Sequence, residues 1–378
     1  MKKKLLVFHP ALAPYRIDLF NSLNEEFEAN IYFFRKNLTS QIFDTNKLEK
    51  QLNFTPKYLT SGFNFSYKNR MIRFGVLLKI VLHNPDIILC SEFNIMTFLV
   101  VLFSKIFFPK TKLYSLCDDS IDVAKNTVNS RSIGRLLCLK LLNGIILGNE
   151  DAEEWYNKHF PKIKTVVFPI IQKEERIISI LNDAKNISLE YQKQYKLENK
   201  KILLFVGRLV KAKNLKFLLE VYSVYISKNK ESVLILVGDG EIKKELLTIV
   251  DQLEMKENVI FAGRYENEAL YAWYRLADFF ILPSISETFG AVVNESLIAG
   301  VPVICSNLAG ASCLINIKNG KTFNPNDKEE LLSIFNELLL KKMPTKINYS
   351  LTDSLMPYTF NQRTFKLMPF LKADSIEK

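Results

Sequence analysis

The sequence has few long apolar runs, and neither a membrane-spanning helix nor a signal peptide is expected from it. Its longest apolar stretch, Ile95–Phe108, is interrupted by Ser104 and Lys105 and falls short of the roughly 20 residues that a membrane-spanning helix needs. The basic start MKKKLLVFHPALAP contains an apolar run of only about four residues, which is shorter than the core of a signal peptide. These absences predict a cytoplasmic protein without a transmembrane helix.

Cysteine and histidine are also scarce. The three histidines are His9, His83 and His159, and the five cysteines include no CxxC pair. The cysteines are Cys90, Cys117, Cys138, Cys305 and Cys313. All but Cys117 lie in or beside apolar runs, which is typical of reduced, structural thiols rather than a disulfide framework.

Acidic residues are fewer than basic residues. The chain has 51 Lys and Arg against 40 Asp and Glu, a net charge of +11, and such a chain attracts anions: a nucleoside diphosphate, an anionic lipid or a nucleic acid. Charge alone does not choose among them. The phenylalanines lie in apolar runs instead of alternating with a basic stripe, and no nucleic-acid-binding motif is present, so no nucleic acid partner is expected.

What the sequence does contain is length and a repeated strand and helix pattern. With 378 residues, 48% of them hydrophobic, the chain is long enough for two α/β domains. The first pattern starts at strand Lys4–Phe8, and its alternation predicts a parallel, doubly wound sheet. Tyr67–Leu82 is predicted to be a helix, and the polar segment from Lys36 to Lys68 is interpreted equally well as an acceptor-recognition segment or a long insertion.

A second alternating pattern begins at Lys201, after a charged, helix-prone stretch from Pro169 to Lys200 that is interpreted as a connector. Its organising part is the strand Phe279–Ser284, a polar turn, and a helix that Gly290 opens. The free N–H groups of Phe289, Gly290 and Ala291 would form an anion site at the start of that helix.

Two carboxylates flank this site. Glu287 and Glu295 are eight positions apart, which is roughly 12 Å along a helix axis. Since a carboxylate accepts two hydrogen bonds, each can hold a pair of vicinal hydroxyl groups, such as those of a sugar and a ribose. Two acidic residues at this spacing more often lie on a solvated helix face, and only the surrounding strand, turn and helix favour a site.

Glu287 and Glu295, with TFGAVVN between them, resemble the E-x7-E signature of family 4 glycosyltransferases. The resemblance implies that Glu287 contacts the donor sugar and Glu295 the ribose. GRLVKAKN resembles the family segment that holds the donor diphosphate. In this segment Gly207 would allow a sharp turn, and Arg208 and Lys213 would stabilise the leaving phosphate. The planar guanidinium of Arg208 can bind two phosphate oxygens, and the ammonium group of Lys213 adds a point charge.

Other matches to the family are less specific. NVIFAGRY resembles the strand and loop lining the base pocket, which places Arg264 near the base or phosphate. In the first half, PALAPYRIDLFNSL resembles the acceptor-side opening of some bacterial members, although Ala11 and Ala13 stand where many relatives have glycine. Many relatives also carry a histidine after a middle strand, whereas this chain has YSLCDDSID. Asp118 or Asp119 takes that place or caps the next segment, and His9 is a weak acceptor-side candidate.

DDSID also admits a metal interpretation, because Asp118, Asp119 and Asp122 imitate the D-x-D motif of other glycosyltransferases. The cationic Arg208 and Lys213 provide the charge neutralisation that a metal would supply, so the prediction is no metal and no cofactor.

The resemblance implies the GT-B fold, two facing Rossmann-like domains with the active site between them. The expected domains are an acceptor-binding domain at residues 1–168, a nucleotide-sugar-binding domain at 169–356, and a helix at 357–378 that crosses back to the first domain. The implied activity is that of a retaining hexosyltransferase, which moves a sugar from a nucleotide-diphosphate sugar to a glycan or lipid-linked glycan in surface polysaccharide synthesis. A nucleotide-sugar epimerase of the same fold and a non-enzymatic membrane- or nucleic-acid-binding protein are the alternatives.

Membrane association is left open by the basic, apolar helices of the first half. In one interpretation their cations meet anionic headgroups at the inner face of the cell membrane while nearby apolar side chains insert. In the other they form a solvated rim over buried helices. The cations concerned are Arg70, Arg73, Lys79, Lys105, Arg135 and Lys140.

Overall fold

A computed structural model gives the fold of the chain as two compact units. One comprises Met1–Gln172 with Phe360–Lys378, and the other Lys173–Thr359. The structure describes residues 1–37, 43–59, 63–65, 70–73, 75–118, 125, 130–338 and 353–373. Within these residues, every helix is too short or too polar to traverse a bilayer.

The first unit contains nine strands and seven helices in its described part. The strands are Lys4–Ala11 (β1), Glu28–Arg35 (β2), Lys57–Tyr58 (β3), Phe63–Phe65 (β4), Arg70–Ile72 (β5), Ile87–Ser91 (β6), Lys112–Cys117 (β7), Gly144–Leu147 (β8) and Lys164–Val167 (β9). The helices are Ile17–Glu26 (α1), Thr45–Glu49 (α2), Gly75–His83 (α3), Ile95–Phe107 (α4), Ser130–Leu139 (α5), Glu150–His159 (α6) and, at the end of the chain, Phe360–Lys372 (α14).

Seven of these strands form one parallel sheet in the order β3-β2-β1-β6-β7-β8-β9, and β4 and β5 form a separate antiparallel hairpin. Successive side chains of a strand point to opposite faces of the sheet. Helices cover both of these faces. Phe8 packs with Phe34, 6.3 Å away between ring centroids, in the core beneath α3 to α6. The next residue, His9, points the other way and meets Phe20 of α1 at 5.1 Å.

The second unit repeats this plan. Its strands are Lys201–Val206 (β10), Ser232–Val237 (β11), Val259–Gly263 (β12), Phe279–Leu282 (β13), Val303–Ser306 (β14) and Gly320–Phe323 (β15). Its helices are Glu174–Asp183 (α7), Lys185–Gln194 (α8), Leu215–Ile226 (α9), Lys243–Gln252 (α10), Asn267–Leu276 (α11), Ala291–Ile298 (α12) and Lys328–Leu338 (α13).

The six strands of this unit form a parallel sheet in the order β12-β11-β10-β13-β14-β15. Its central strands are apolar on both faces, as parallel strands covered by helices must be. Leu203, Leu204 and Phe205 in β10 and Phe280 in β13 are all fully buried. Two parallel sheets layered with helices confirm the predicted α/β class.

Helix α14 follows the second unit in sequence but packs on the first. Leu367 and Leu371 are buried there, and Phe370 contacts Tyr114 of β7 with 5.3 Å between ring centroids. Arg363 forms an ion pair with Glu150 at the start of α6. The last helix thus returns to the first unit, as expected for this fold.

One predicted segment is wrong, and a second, the helix-prone connector, is part of the second unit. Tyr67–Leu82 is not one helix: Arg70–Ile72 is a strand paired with Phe63–Phe65, and helix α3 begins only at Gly75. A partner strand overrides the local helical pattern there. The supposed connector contains α7 and α8, which pack on α11, and Tyr191 stacks on Trp273 at 4.5 Å. Its apolar residues are spaced for a buried helix face among many charges.

Candidate active site

The start of helix α12 lies at the centre of the candidate site in the second unit. Gly290 precedes the helix with a φ of 100°, and a Cβ there would lie 2.7 Å from Leu282 Cδ2. Only glycine fits both the left-handed backbone and the close packing. Among the described residues, no backbone carbonyl accepts a hydrogen bond from the N–H of Phe289, Gly290 or Ala291, so these groups are free to bind an anion.

The loops after β10 and β13 meet because these strands are parallel neighbours, with Leu203 opposite Phe279. Their carboxyl ends therefore lie at one edge of the sheet. The N–H of Ile285 donates to the carbonyl of Ala212 at 3.0 Å and ties the two loops together. This contact brings the GRLVKAKN segment beside the E-x7-E segment.

Lys213 and Glu287 form an ion pair between these loops. Their side chains are 13% and 19% exposed, so both charges are largely withdrawn from water. The Ser284 hydroxyl donates to the same carboxylate oxygen at 3.5 Å. Such an enclosed pair fixes the geometry of both groups, which means that the Glu287 carboxylate has a defined orientation.

The second carboxylate, Glu295, accepts a hydrogen bond from a buried tyrosine. Tyr274 of α11 is fully buried, and its hydroxyl donates to Glu295 Oε2 at 3.0 Å. Burial and the neighbouring carboxylate raise the pKa of Tyr274 well above its usual value, so the phenol keeps its proton and remains a donor.

Arg208 and Arg264 occupy different parts of the carboxyl edge. Arg208 follows β10 directly, is exposed, and has no ion pair within the described ranges. Gly207 before it lies against Gly238, where a Cβ would come within 1.8 Å of the Gly207 carbonyl oxygen. Arg264 follows β12, at the edge of the sheet, and pairs with Glu266 at 2.6 Å. The structure therefore brings Lys213 and Glu287 together but does not bring Arg264 to them.

The first unit has a charged cluster of its own at the carboxyl edge of its sheet. Arg16, 1% exposed, forms an ion pair with Asp118, which follows β7. A buried guanidinium needs such a partner, and its Nε has no hydrogen-bond partner in the described part of the chain. The N–H of Asp118 donates to Glu92 Oε1 at 3.2 Å.

His9 is next to this pair. Its Nδ1 lies 2.8 Å from the carbonyl of Ala11. Burial and the Arg16 charge lower the pKa of His9 from 6.5 to about 4, so the ring is neutral at neutral pH. A neutral ring that donates from Nδ1 to a carbonyl presents Nε2 as an acceptor, which suits a hydroxyl group.

Asp119 and Asp122 lie outside the described residues. Across those residues, no group of three His, Cys, Asp or Glu side chains is arranged to hold a metal ion. None of the five cysteines forms a disulfide.

Three residues of this geometry escaped the sequence interpretation: Tyr274, Ser284 and Arg16. Ser284 lies inside the recognised segment, and Arg16 was visible as a charge between apolar residues. Tyr274 lacked any signal, because its partner is 21 positions away and a tyrosine in an amphipathic helix is usually part of the core.

The described fold matches solved GT-B structures over nearly its whole length. The Anabaena protein HepE, solved in complex with UDP and glucose, superposes with a TM-score of 0.71 at 16% identity, over 98% of this chain and 99% of that one. By fold, the chain is a GT-B protein.

Residues 188–350 match the family "Glycosyl transferases group 1". An uncharacterised glycosyltransferase of Haemophilus influenzae is 30% identical over 53% of this chain and 53% of its own length. A Campylobacter jejuni enzyme, N-acetylgalactosamine-N,N'-diacetylbacillosaminyl-diphospho-undecaprenol 4-alpha-N-acetylgalactosaminyltransferase, is 28% identical over 55% and 54%. The chain spans about half or less of the first curated relatives it matches, at 29%, 53% and 41% of their lengths. Residues 188–350 of the second unit are thus similar to group 1 glycosyltransferases, in agreement with the glycosyltransferase resemblance of its motifs.

Proposed function

We propose that this protein is a retaining glycosyltransferase that moves a hexosyl group from a nucleotide-diphosphate sugar to a hydroxyl group of a glycan or lipid-linked glycan. We place it in the cytoplasm, in surface polysaccharide synthesis. The observation that carries the proposal is the preset pair of carboxylates, Glu287 held by Lys213 and Glu295 held by Tyr274, flanking the free amides that open α12. The group 1 domain match and the neighbour solved with UDP and glucose support the choice of donor class.

In this proposal the second unit binds the donor. Glu295 holds the ribose, Glu287 holds the sugar hydroxyls, and the α12 amides with Arg208 face the diphosphate. Negative charge grows on the departing phosphate in the transition state, and fixed donors and cations there contribute most of the rate enhancement. Lys213 orients Glu287 and adds a positive charge beside the same phosphate.

The bond from the anomeric carbon to the phosphate oxygen breaks, and a bond from that carbon to the acceptor oxygen forms on the same face. The acceptor proton passes to the leaving phosphate oxygen, and the nucleoside diphosphate is released. We assign the first-unit groups His9 and Asp118 to acceptor hydroxyl binding. Cationic groups fill the role of a metal, so we expect turnover to persist in EDTA; loss of activity restored by Mg²⁺ or Mn²⁺ would contradict this.

The first experiment is thermal unfolding with a panel of UDP, GDP, CDP and ADP and their sugar conjugates. A ligand at a hundred times its Kd adds about 2.7 kcal/mol to stability. Stabilisation by one diphosphate is expected for the wild type and for the control Glu329→Gln, an exposed residue of α13, and is expected to disappear in Glu295→Gln. Stabilisation by none of the ligands, or equal stabilisation in Glu295→Gln, would reject this donor site.

The role of Lys213 is tested by turnover with the donor so identified. Lys213→Met is expected to lower kcat by about 10²- to 10³-fold, the usual effect of removing one charge-stabilising group. Lys211→Met is the matched control, since Lys211 lies in the same turn but is exposed. Equal kcat values for Lys213→Met and Lys211→Met would contradict a role for Lys213 in the reaction. Product analysis in the same assay separates transfer to an acceptor from epimerisation of the donor.

A further inference from the structure

Three helices of the first unit expose an exceptional amount of apolar surface. Of the 17 large apolar side chains that are exposed in the described residues, nine lie on α3, α4 and α5. Ile106 and Phe107 are each 62% exposed, and Leu78 and Leu82 are each 66% exposed. We call the nine residues the apolar face: Leu78, Val81, Leu82, Ile95, Leu102, Ile106, Phe107, Leu136 and Leu137.

These side chains are not needed for the core. The opposite sides of the same helices supply the buried residues, among them Ile80, Val101 and Cys138, each fully buried. Helix α3 contacts α4, and α4 contacts α5, so the apolar face lies on three helices that are neighbours in the fold. A contiguous apolar surface on a folded protein marks a place where a partner or a membrane binds.

The three helices that carry the apolar face have charged side chains of one sign. Gly75–His83, Ile95–Phe107 and Ser130–Leu139 contain no aspartate or glutamate. Lys105 lies half-buried within α4, where burial lowers the pKa of its amine, and no carboxylate of the described chain forms an ion pair with it. Lys110 and Lys140 follow α4 and α5 and are exposed. The surface therefore combines apolar side chains with lysines that lack a described acidic partner.

Two of the cations expected from sequence to meet a membrane do not lie on this surface. Arg73 is 6% exposed and Arg135 is 4% exposed. The Arg135 guanidinium packs over the rings of Trp155 and Tyr156, 5.5 and 5.8 Å from their centroids. Both guanidinium groups are therefore buried inside the unit, and among the described side chains Lys105, Lys110 and Lys140 are the cations considered for contact with an anionic partner.

We propose that the apolar face docks on an anionic phospholipid bilayer, with Lys105, Lys110 and Lys140 meeting headgroup phosphates and the leucine, isoleucine and phenylalanine side chains entering the acyl boundary. Apolar burial and attraction to anionic lipid act together in such binding. The inference deepens the proposed function and rests on it, because a lipid-linked acceptor would lie in the bilayer. Docking itself needs no sugar nucleotide. A second copy of the chain fits less well, because a symmetric contact would bring the lysines of the two copies together.

The test is co-sedimentation with vesicles, without nucleotide, at low and high salt. The vesicles contain phosphatidylcholine alone or equal parts of phosphatidylcholine and phosphatidylglycerol. The wild type is expected to bind the anionic vesicles at least tenfold more tightly than the neutral ones. The triple variant Leu82→Gln, Ile106→Gln and Phe107→Gln is expected to bind the anionic vesicles at least tenfold more weakly. The variant Lys105→Gln, Lys110→Gln and Lys140→Gln is expected to lose the preference for phosphatidylglycerol.

The matched control is Phe365→Gln with Ile317→Gln, which removes apolar side chains that are 81% and 96% exposed outside the apolar face. The control is expected to bind as the wild type does, and circular dichroism and thermal unfolding check that every variant is folded. No binding of the wild type to anionic vesicles, or equal binding by the triple variant, overturns the proposal. A dimer in light scattering that the triple variant abolishes, without vesicle binding, assigns the face to self-association and also overturns it. Donor binding is measured without lipid, so the two proposals fail separately.

Discussion

Tyr274 shows what a single residue contributes to the donor site, because its only described hydroxyl contacts are Glu295 Oε2 at 3.0 Å and a longer approach to a carbonyl at 3.4 Å. We expect Tyr274→Phe to weaken binding of the nucleoside diphosphate by about threefold to tenfold, since a hydrogen bond contributes about 0.5–1.5 kcal/mol. Isothermal titration measures the effect.

Tyr222→Phe is the matched control for Tyr274→Phe. Tyr222 is also fully buried in the second unit, and its hydroxyl donates to Ser232 at 3.0 Å. Both variants lose a buried hydrogen bond and are expected to be similarly destabilised, but only Tyr274→Phe is expected to bind nucleotide more weakly. Unchanged affinity in Tyr274→Phe would mean that Glu295 does not depend on this phenol.

His9 links the first-unit cluster to pH. Because the pKa of His9 is lowered from 6.5 to about 4, the folded chain binds fewer protons than the unfolded chain between these values. The free energy of unfolding therefore rises with pH from about 4 to 6.5 through this group, by about 3 kcal/mol in all, and this gain is lost on acidification. The charged groups facing it are Arg16, which lowers the pKa, and Asp118, which raises it.

We expect His9→Gln to flatten the dependence of stability on pH in that window, as measured by urea unfolding at a series of pH values. His159→Gln is the control, because that histidine is exposed on α6. A profile for His9→Gln that parallels the wild type from pH 4 to 6.5 would show that His9 is not the group that titrates.

The residues of the candidate site that the sequence predicted are those whose partners are near in sequence or fixed by a motif. Glu287, Glu295 and Lys213 belong to two short segments. Two other pairs join residues that are distant in sequence. Arg16 contacts Asp118, 102 positions away, in the first-unit cluster, and Tyr274 contacts Glu295, 21 positions away, in the second unit. Such pairings depend on the strand order of the folded sheet, which a local pattern does not contain.

At the scale of elements, the entry into α12 is constrained both by its backbone conformation and by its packing. Gly290→Ala meets two penalties, a backbone φ of 100° and a Cβ 2.7 Å from Leu282 Cδ2. Gly263→Ala is a matched control with a φ of 91° but nothing within 4 Å of the added Cβ, so it carries only the backbone penalty of about 1 kcal/mol.

We expect Gly290→Ala to be destabilised by about 1 to 3 kcal/mol more than Gly263→Ala, because overpacking adds to the backbone penalty, and to lose nucleotide binding through displaced α12 amides. Denaturant unfolding and nucleotide titration measure the two effects. Equal stability of the two alanine variants would mean that the turn relaxes without strain.

The sequence pattern predicted elements well where apolar runs and turn residues agree, as in Lys201–Val206 and Phe279–Leu282. It failed where tertiary contacts decide. Arg70–Ile72 has an apolar and basic composition that suits a helix, but pairing with Phe63–Phe65 makes it a strand. The charged segment that holds α7 and α8 was interpreted as a connector because its buried face is narrow, including Ile177, Leu181 and Tyr191.

At the scale of the whole molecule, the chain completes its first unit only with its last helix. Helix α14 buries Leu367 and Leu371 on that unit, and a Cβ at Gly144 of β8 would lie 2.7 Å from the ring of Phe370. The order of the sequence does not reveal this return, which the resemblance to GT-B proteins alone implied. A segment that begins at Phe360, 188 positions after Gln172, therefore belongs to the first unit.

We expect Leu371→Ala to destabilise the first unit by about 2–5 kcal/mol, the usual effect of truncating a fully buried leucine. Phe365→Ala on the same helix is the control, because Phe365 is 81% exposed and its loss removes little buried area. Hydrogen exchange is the measurement that locates the effect: amides of β8 and β9 are expected to exchange faster in Leu371→Ala, while those of β10 and β11 keep their protection. Faster exchange confined to the second unit would mean that α14 stabilises that unit, in contradiction to its contacts with Tyr114 and Glu150.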